Sequence, residues 1–185
     1  MVIVTGFEPF GGRAVNRSWQ AVERVPGVER VQLPVEYARI AELVPALVAR
    51  APRGVLLVGE ASRRVLTLER VAKNAADPAR ADNAGALGAG VLAAGGPDML
   101  ASTWNVDRAL AAAREHVPAE LSDDAGGYCC NAALYHALRA AAPGATIGFV
   151  HVPASGWPFA PRLARIARAL AAIAATFGAD DGASR

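Results

Sequence analysis

Cysteine, histidine and lysine are all scarce in this 185-residue sequence, and long apolar runs are missing. No apolar run reaches the ~18–20 residues that a membrane-spanning helix needs, and no basic segment of the secretion-signal type opens the chain. The only two cysteines, Cys129 and Cys130, are adjacent, which is a poor geometry for a structural disulfide. The formal net charge of +2 is too small to draw the chain to nucleic acid or anionic lipid. We therefore expect a protein of the reducing cytoplasm that binds neither nucleic acid nor membranes.

The hydrophobic pattern alternates short strands with amphipathic helices, which is typical of an α/β fold. We predict strands at residues 2–5, 28–34, 55–58, 119–124 and 146–152, and helices at 16–25, 36–50, 106–117, 128–142 and 161–177. Residues 64–72 alternate like a partly exposed strand or one arm of a hairpin. Residues 73–103 have no clean period, so we expect a long surface excursion there. The expected fold is a single-domain three-layer α/β/α sandwich with a mainly parallel, mixed central sheet over residues 1–177. A frayed tail is expected at 178–185.

The segment around the two cysteines carries the strongest local signal for chemistry. Gly126 and Gly127 allow a sharp turn, and Cys129 and Cys130 then begin a predicted helix. Free N–H groups and the positive end of the helix dipole favour a thiolate at such a position. Neighbouring helical residues point about 100° apart, so at most one of the two is expected to be reactive. Spacing alone leaves open that both are small core residues.

A reactive thiol needs a base, and the sequence offers three histidines. His116 ends a predicted helix, and His136 lies on the cysteines' own helix, on a different side from Cys130. His151 ends a predicted buried strand, and the carboxyl ends of parallel strands are where sites in such sheets are built. Glu69 could orient a histidine as the third member of a nucleophile–base–orienter set. From the residues alone, two other roles stay open. His151 could be a structural residue of the core, and Glu69 could form a solvated charge pair with Arg70.

Four separated segments resemble the pyroglutamyl-peptidase I (pyrrolidone-carboxylate peptidase) family of cytosolic cysteine peptidases. The opening Thr-Gly-Phe-Glu-Pro-Phe-Gly-Gly at 5–12, continued to Asn16, is similar to the family's opening signature. Leu-Thr-Leu-Glu-Arg-Val-Ala-Lys-Asn at 66–74 resembles the segment that carries its catalytic glutamate. Residues 122–131 resemble its cysteine signature, and Gly-Phe-Val-His-Val-Pro at 148–153 resembles its histidine segment. The order Glu, Cys, His also agrees.

The resemblance implies an omega-peptidase that removes an N-terminal pyroglutamyl (5-oxoprolyl) residue from peptides through a thioacyl-enzyme. It implies Cys130 as the nucleophile, His151 as the base and Glu69 as its orienter. The residues that it places around the substrate ring are Phe7, Phe10, Asn16, Tyr128 and Cys129. It implies pyroglutamyl peptides as the partners, no cofactor and no metal, and homo-oligomers, since members of the family are often tetramers.

The sequence departs from the family pattern beside the expected pocket. The stretch 59–69 is one residue shorter than usual, and Ser62 stands where glycine, alanine or proline is common. The family's arginine ten residues after the glutamate meets Ala79 here, and Arg80, one position later, is its candidate replacement. None of these departures falls on the three catalytic positions.

Four other functional classes compete with this one. A dehydrogenase of the short-chain type needs a tyrosine four residues before a lysine, and Glu69 stands at that position before Lys73, the only lysine. Scattered histidines and adjacent cysteines offer no pair of metal ligands at a usual spacing. Another cysteine amidase or hydrolase of the same sheet type, and an inactive homologue that only binds pyroglutamyl groups, stay open as alternatives.

Overall fold

A six-stranded sheet in the order β2-β1-β3-β8-β4-β7 forms the centre of the protein. A computed structural model describes residues 1–51, 53–154 and 159–178. The strands of the sheet are β1 (Ile3–Phe7), β2 (Glu29–Leu33), β3 (Val55–Ala61), β4 (Leu66–Glu69), β7 (Ala119–Ser122) and β8 (Ile147–Pro153), and a separate two-stranded sheet joins β5 (Val71–Lys73) to β6 (Met99–Ala101). Strand β4 pairs antiparallel with β8, whereas every other pair in the large sheet is parallel. The predicted mainly parallel, mixed sheet is therefore confirmed.

Helices cover both faces of this sheet. They are α1 (Arg17–Val22), α2 (Tyr37–Arg50), α3 (Val106–Arg114), α4 (Cys129–Ala140) and α5 (Phe159–Ala175). Helices α1, α3 and α5 share one apolar core with the sheet, and α2 and α4 share the other. Strand β3 shows how one segment serves both cores, because Leu56 and Val58 point to the first while Val55 and Leu57 point to the second. This is the expected α/β/α sandwich.

The segment at 64–72 differs from its prediction as a partly exposed strand. All four residues of β4 are buried, because β4 lies inside the sheet between β8 and β7. Its alternation places Leu66 and Leu68 in the first core and turns the polar Thr67 and Glu69 to the opposite face. The polar half of the pattern marks a buried polar cluster and not contact with solvent.

The long excursion at 73–103 is largely confirmed, with one addition. Strand β6 pairs antiparallel with β5, and the rest is tied together by isolated bridges such as Ala81 to Leu87. Helix α1 was predicted at 16–25. Asn16 is its N-cap, because the Asn16 side chain accepts a hydrogen bond from the Ser18 N–H, and the helix ends at Val22 and not at residue 25.

Two further findings hold for the part of the chain that the structure describes. None of its helices is long and apolar enough to cross a membrane, and none of its histidine, cysteine and carboxylate side chains form a group of three that could hold a metal ion. The predicted frayed tail lies outside the described residues except for Gly178.

Candidate active site

A cavity of about 260 Å³ opens where β1, β3 and β8 end and α4 begins. Its described lining is Phe7, Phe10, Asn16, Val35, Glu60, Ala61, Ser62, Arg63, Asp77, Arg80, Ala125, Gly126, Gly127, Tyr128, Cys129, Cys130 and His151. Every pocket residue predicted from the sequence is in this set. Glu69 lies directly behind it.

His151 and Glu69 form a buried hydrogen-bonded pair. Their side chains lie on the same sheet face, because Glu69 is opposite Phe149 and Thr67 is opposite His151 in the antiparallel β4–β8 ladder. The His151 Nδ1 is 2.8 Å from Oε1 of Glu69, and the Thr67 hydroxyl donates to the same oxygen over 3.0 Å. An ionised Glu69 carboxylate can only accept, and the contact then assigns the ring hydrogen to Nδ1 and makes Nε2 the acceptor nitrogen. Glu69 is therefore no solvated surface charge, and Arg70 pairs instead with Asp123.

Cys130 reaches the same sheet face from the first turn of α4. Gly59, beside His151 in the β3–β8 ladder, makes room for it. A Cβ at Gly59 would lie 2.6 Å from the Cys130 sulfur and 3.2 Å from Cδ2 of His151, the ring carbon bonded to Nε2. Thiol and imidazole thus converge on the space that the missing side chain of Gly59 leaves open. Gly59 was not among the predicted site residues, although a glycine directly after the predicted strand 55–58 was the signal available.

Electrostatics at Cys130 contradict the thiolate expected from the helix dipole. Burial raises the pKa of the Cys130 thiol above its ordinary value, and the nearby Cys129, Glu60 and Glu69 act in the same direction. The positive charge of Arg80 acts in the opposite direction but does not offset them. The free site therefore favours the neutral thiol, and attack requires a base to take its proton.

Aromatic side chains form one wall of the cavity. The ring centroids of Phe10 and Tyr128 lie 6.1 Å apart. Tyr37, which was not predicted as a site residue, packs edge-to-face against Tyr128 with a centroid separation of 5.8 Å. The Tyr128 hydroxyl donates to the Ala81 carbonyl, and burial, followed by the nearby Cys129, raises the pKa of that hydroxyl to about 12. Phe7 is fully buried at the end of β1. The wall offers flat apolar faces with fixed orientation.

Arg80 lies against this aromatic wall. Its guanidinium carbon is 4.1 Å from the Tyr128 ring centroid and 5.0 Å from that of Phe10, both within the range of cation–π contacts. The preceding Ala79 is exposed and has no part in the lining. Arg80, one position after the place where the family has its arginine, therefore lies at the cavity.

Asn16 holds the opening loop in place. Besides capping α1, its side-chain N–H donates to the Glu8 carbonyl. The Glu8 carboxylate in turn accepts from the side chain of Asn83, which also donates to the Pro9 carbonyl. This network fixes the loop that carries Phe10.

Glu60 is a buried charge in the cavity wall that was not among the predicted site residues. Its carboxylate accepts from both terminal nitrogens of Arg13 and, over 2.7 Å, from the backbone N–H of Arg17 at the start of α1. The charge is therefore neutralised by a guanidinium and a helix N-terminus. The signal in the sequence was an acidic residue close to the end of the predicted strand 55–58, which the structure extends through Glu60 to Ala61.

Cys129 differs clearly from its neighbour. It is 1% exposed and belongs to the core shared with α2, and burial raises the pKa of its thiol to about 12. Asn131, the next residue after Cys130, accepts from the Lys73 N–H and donates to the carbonyls of Lys73 and Ala75, so the start of α4 is tied to β5. The helix therefore points Cys130, and not Cys129, towards His151.

Known proteins are similar to this one in both sequence and structure. The sequence model of the pyroglutamyl peptidase family matches residues 1–158. The pyrrolidone-carboxylate peptidase of Thermococcus onnurineus is 40% identical over 165 residues, covering 82% of each chain, and that of Escherichia fergusonii is 36% identical over 181 residues, covering 88% of this chain and 85% of its own.

Solved structures agree with these matches. The pyrrolidone carboxyl peptidase from Thermus thermophilus superimposes with a TM-score of 0.86 at 34% identity, over 96% of this chain and all of that one. Pyroglutamyl peptidase I from Bacillus amyloliquefaciens gives a TM-score of 0.86 at 30% identity, over 97% of this chain and 95% of its own. The chain belongs to the pyroglutamyl peptidase family.

Proposed function

We propose that this protein is a cysteine peptidase that hydrolyses the bond after an N-terminal pyroglutamyl residue. The observation that carries the proposal is the buried hydrogen bond between His151 and Glu69, with the Cys130 thiol beside the imidazole at a helix start. These are the three groups that covalent acyl transfer needs: a nucleophile, a base and a group that orients the base. Family membership supplies the substrate class.

Acylation starts from the neutral thiol that the free site favours. The Cys130 sulfur attacks the pyroglutamyl carbonyl carbon while Nε2 of His151 takes the thiol proton, and Glu69 stabilises the imidazolium that forms. The carbonyl oxygen becomes an oxyanion that accepts from the first backbone N–H groups of α4, whose N-cap Tyr128 provides no side-chain capping bond within the described structure. His151 then gives its proton to the leaving amine, and the C–N bond breaks to leave a thioester.

Deacylation uses the same groups in reverse. His151, neutral again, takes a proton from water, and the resulting hydroxide attacks the thioester carbonyl. Collapse of the second tetrahedral intermediate breaks the C–S bond, and the proton on His151 returns to the Cys130 sulfur. Free pyroglutamate leaves and the thiol is regenerated.

Recognition of the lactam ring falls to the aromatic wall and a few polar groups. We assign stacking on the ring to Phe10 and Tyr128, with Phe7 and Cys129 closing the apolar end of the cavity. Asn16 uses one amide N–H on the Glu8 carbonyl, and its second N–H is our candidate donor to the ring carbonyl. A blocked lactam has no charge to recognise, so the pocket needs apolar contact and hydrogen bonds and not an ion pair.

The test is hydrolysis of a chromogenic pyroglutamyl amide, measured beside its prolyl analogue. Proline lacks the ring carbonyl and the lactam N–H, and sites that pair buried polar groups with such atoms reject the analogue by about 10⁴–10⁵-fold. Stacking alone would discriminate by only ~1–3 kcal/mol between rings of similar size. Comparable kcat/KM values for the two amides would refute the proposed substrate.

An inactive homologue that only binds pyroglutamyl groups is distinguished by thiol reactivity. Iodoacetamide labelling at alkaline pH, followed by peptide mapping, should modify Cys130 much faster than Cys129 if Cys130 is the nucleophile. Slow labelling of both cysteines, with no turnover, would favour the binding protein.

We also propose that residues 1–177 act as one peptidase domain in the cytoplasm. The free thiols of Cys129 and Cys130 support a reducing compartment. Assembly into homo-oligomers and the lack of nucleic-acid and membrane partners stay predictions, and light scattering together with binding assays tests them.

A further inference from the structure

A second cavity of about 270 Å³ adjoins the first and shares a wall with it. Both cavities are lined by Phe10, Glu60, Ala61, Ser62 and Arg80, and the second continues to Gly11, Arg13 and Ala154. Glu60 and Ala61 of this wall directly follow Gly59, and the Cys130 thiol and the His151 imidazole fill the space where a side chain of Gly59 would lie. The part of a substrate that follows a ring bound in the first cavity would therefore lie near the second cavity.

The charges around the second cavity do not cancel. Its described lining holds one carboxylate, Glu60, which is already neutralised by Arg13 and by a helix N-terminus. Arg80 is exposed, and among the described residues it has no carboxylate within ion-pair distance. It stacks instead on Tyr128 and Phe10, a contact that leaves the N–H groups at the edge of the guanidinium free to bind a carboxylate.

Arg63 is the other cation in the wall of the first cavity. Its side chain donates to the Asp124 carbonyl over 2.7 Å, and Arg63 does not line the second cavity. Asp77 also lines the first cavity only. The excess positive charge of the second cavity therefore comes from Arg80.

We propose that the second cavity receives the residue after pyroglutamate, and that Arg80 gives the enzyme a preference for leaving groups that carry a carboxylate. This inference rests on the proposed function. The carboxylate could belong to an acidic side chain or to the free C-terminus of a dipeptide, since both present the same planar acceptor to a guanidinium. Arg80 determines specificity here and takes no part in the bond-breaking steps.

Three substrates test this proposal. Pyroglutamyl-glutaminamide is neutral, pyroglutamyl-glutamic acid α-amide carries the charge on its side chain, and pyroglutamyl-glutamine carries it at the C-terminus. For the wild type at low salt we expect kcat/KM to be about twofold to fivefold higher for at least one charged peptide than for the neutral one, the range of an exposed ion pair. The charged peptide with the higher kcat/KM identifies the source of the carboxylate. The ratio of kcat/KM for that peptide to kcat/KM for the neutral peptide should fall towards one in 0.5 M salt.

Substitutions at Arg80 provide the decisive comparison, because each ratio is taken within one variant and general losses of activity cancel. Arg80→Gln should bring the ratio to about one, Arg80→Glu should invert it, and Arg80→Lys should retain part of it. Arg39→Gln, which removes an exposed cation paired with Glu42 on α2, is the matched control and should leave the ratio unchanged.

The outcomes separate this proposal from the proposed function. If no pyroglutamyl peptide is hydrolysed, the peptidase assignment fails. If all three are hydrolysed with equal kcat/KM, or if Arg63→Gln removes the preference while Arg80→Gln does not, the assignment of Arg80 is wrong and the peptidase stands.

Discussion

Replacing Gly59 by alanine should disable the catalytic centre with only a moderate loss of stability. Gly59 has no positive φ, so the backbone accepts alanine and only space is at issue. The new Cβ would lie 2.6 Å from the Cys130 sulfur, 2.9 Å from the tip of the Phe149 ring and 3.2 Å from His151 Cδ2. Non-bonded heavy atoms prefer about 3.5–4.0 Å, so the sulfur must move by about 1 Å.

The expected magnitudes follow from that displacement. A misplacement of 1 Å costs about 10² in rate, so we expect kcat for the pyroglutamyl amide to fall roughly 100-fold. Overpacking costs about 1–3 kcal/mol of unfolding free energy. Steady-state kinetics measures the change in kcat, and urea unfolding measures the change in unfolding free energy.

Val58→Ala is the matched control. Val58 is the preceding residue of the same strand, but it is buried in the core on the opposite face. Its truncation should cost about 2 kcal/mol through lost packing and change kcat less than threefold. If Gly59→Ala retained wild-type kcat, or if Val58→Ala lost activity to the same degree, the proposed crowding of thiol and imidazole around Gly59 would be refuted.

Four further predictions concern the catalytic groups and the pocket. Cys130→Ser should abolish turnover without unfolding, because a hydroxyl is a far weaker nucleophile, whereas Cys129→Ser should keep most activity; the reverse pattern in the amide assay would reassign the nucleophile. Glu69→Gln should lower kcat less than His151→Ala does, and the double variant should be strongly non-additive; simple additivity would remove Glu69 from the catalytic unit. Since burial raises the pKa of Cys130, its alkylation rate in the free protein should keep rising above pH 8.5, the ordinary thiol pKa being about 8.5; a plateau near neutrality would indicate a preformed thiolate. Phe10→Ala should raise KM more than it relaxes the preference for pyroglutamyl over prolyl amides, and the opposite result would make Phe10 more than a stacking surface.

The sequence is informative wherever a residue's role depends on its own segment. Buried strands, helix starts and the order of Glu69, Cys130 and His151 follow from local patterns and from motifs with fixed spacing. The structure departs from expectation where partners come from distant segments. Glu60 is held by Arg13, 47 residues away, and a local pattern contains no sign of that pairing.

The alternating polarity of β4 was ambiguous for a similar reason. Thr67 and Glu69 alternate with leucines, as polar residues do on a strand with one face exposed to solvent. Only the antiparallel pairing with β8 places both polar side chains against His151, in a position shielded from water. The pKa of Cys130 is likewise set by burial and by charges from other segments, so the helix dipole alone gave the wrong sign.

The most direct test of the account is to identify the acyl-enzyme. The protein would be mixed with an activated pyroglutamyl ester, quenched with acid during turnover, digested and sequenced by tandem mass spectrometry. We predict a pyroglutamyl thioester on Cys130 in the wild type and in Cys129→Ser, and no acylated peptide in Cys130→Ser. Acylation of Cys129, or turnover of the amide by Cys130→Ser, would contradict the central claim that Cys130 is the nucleophile.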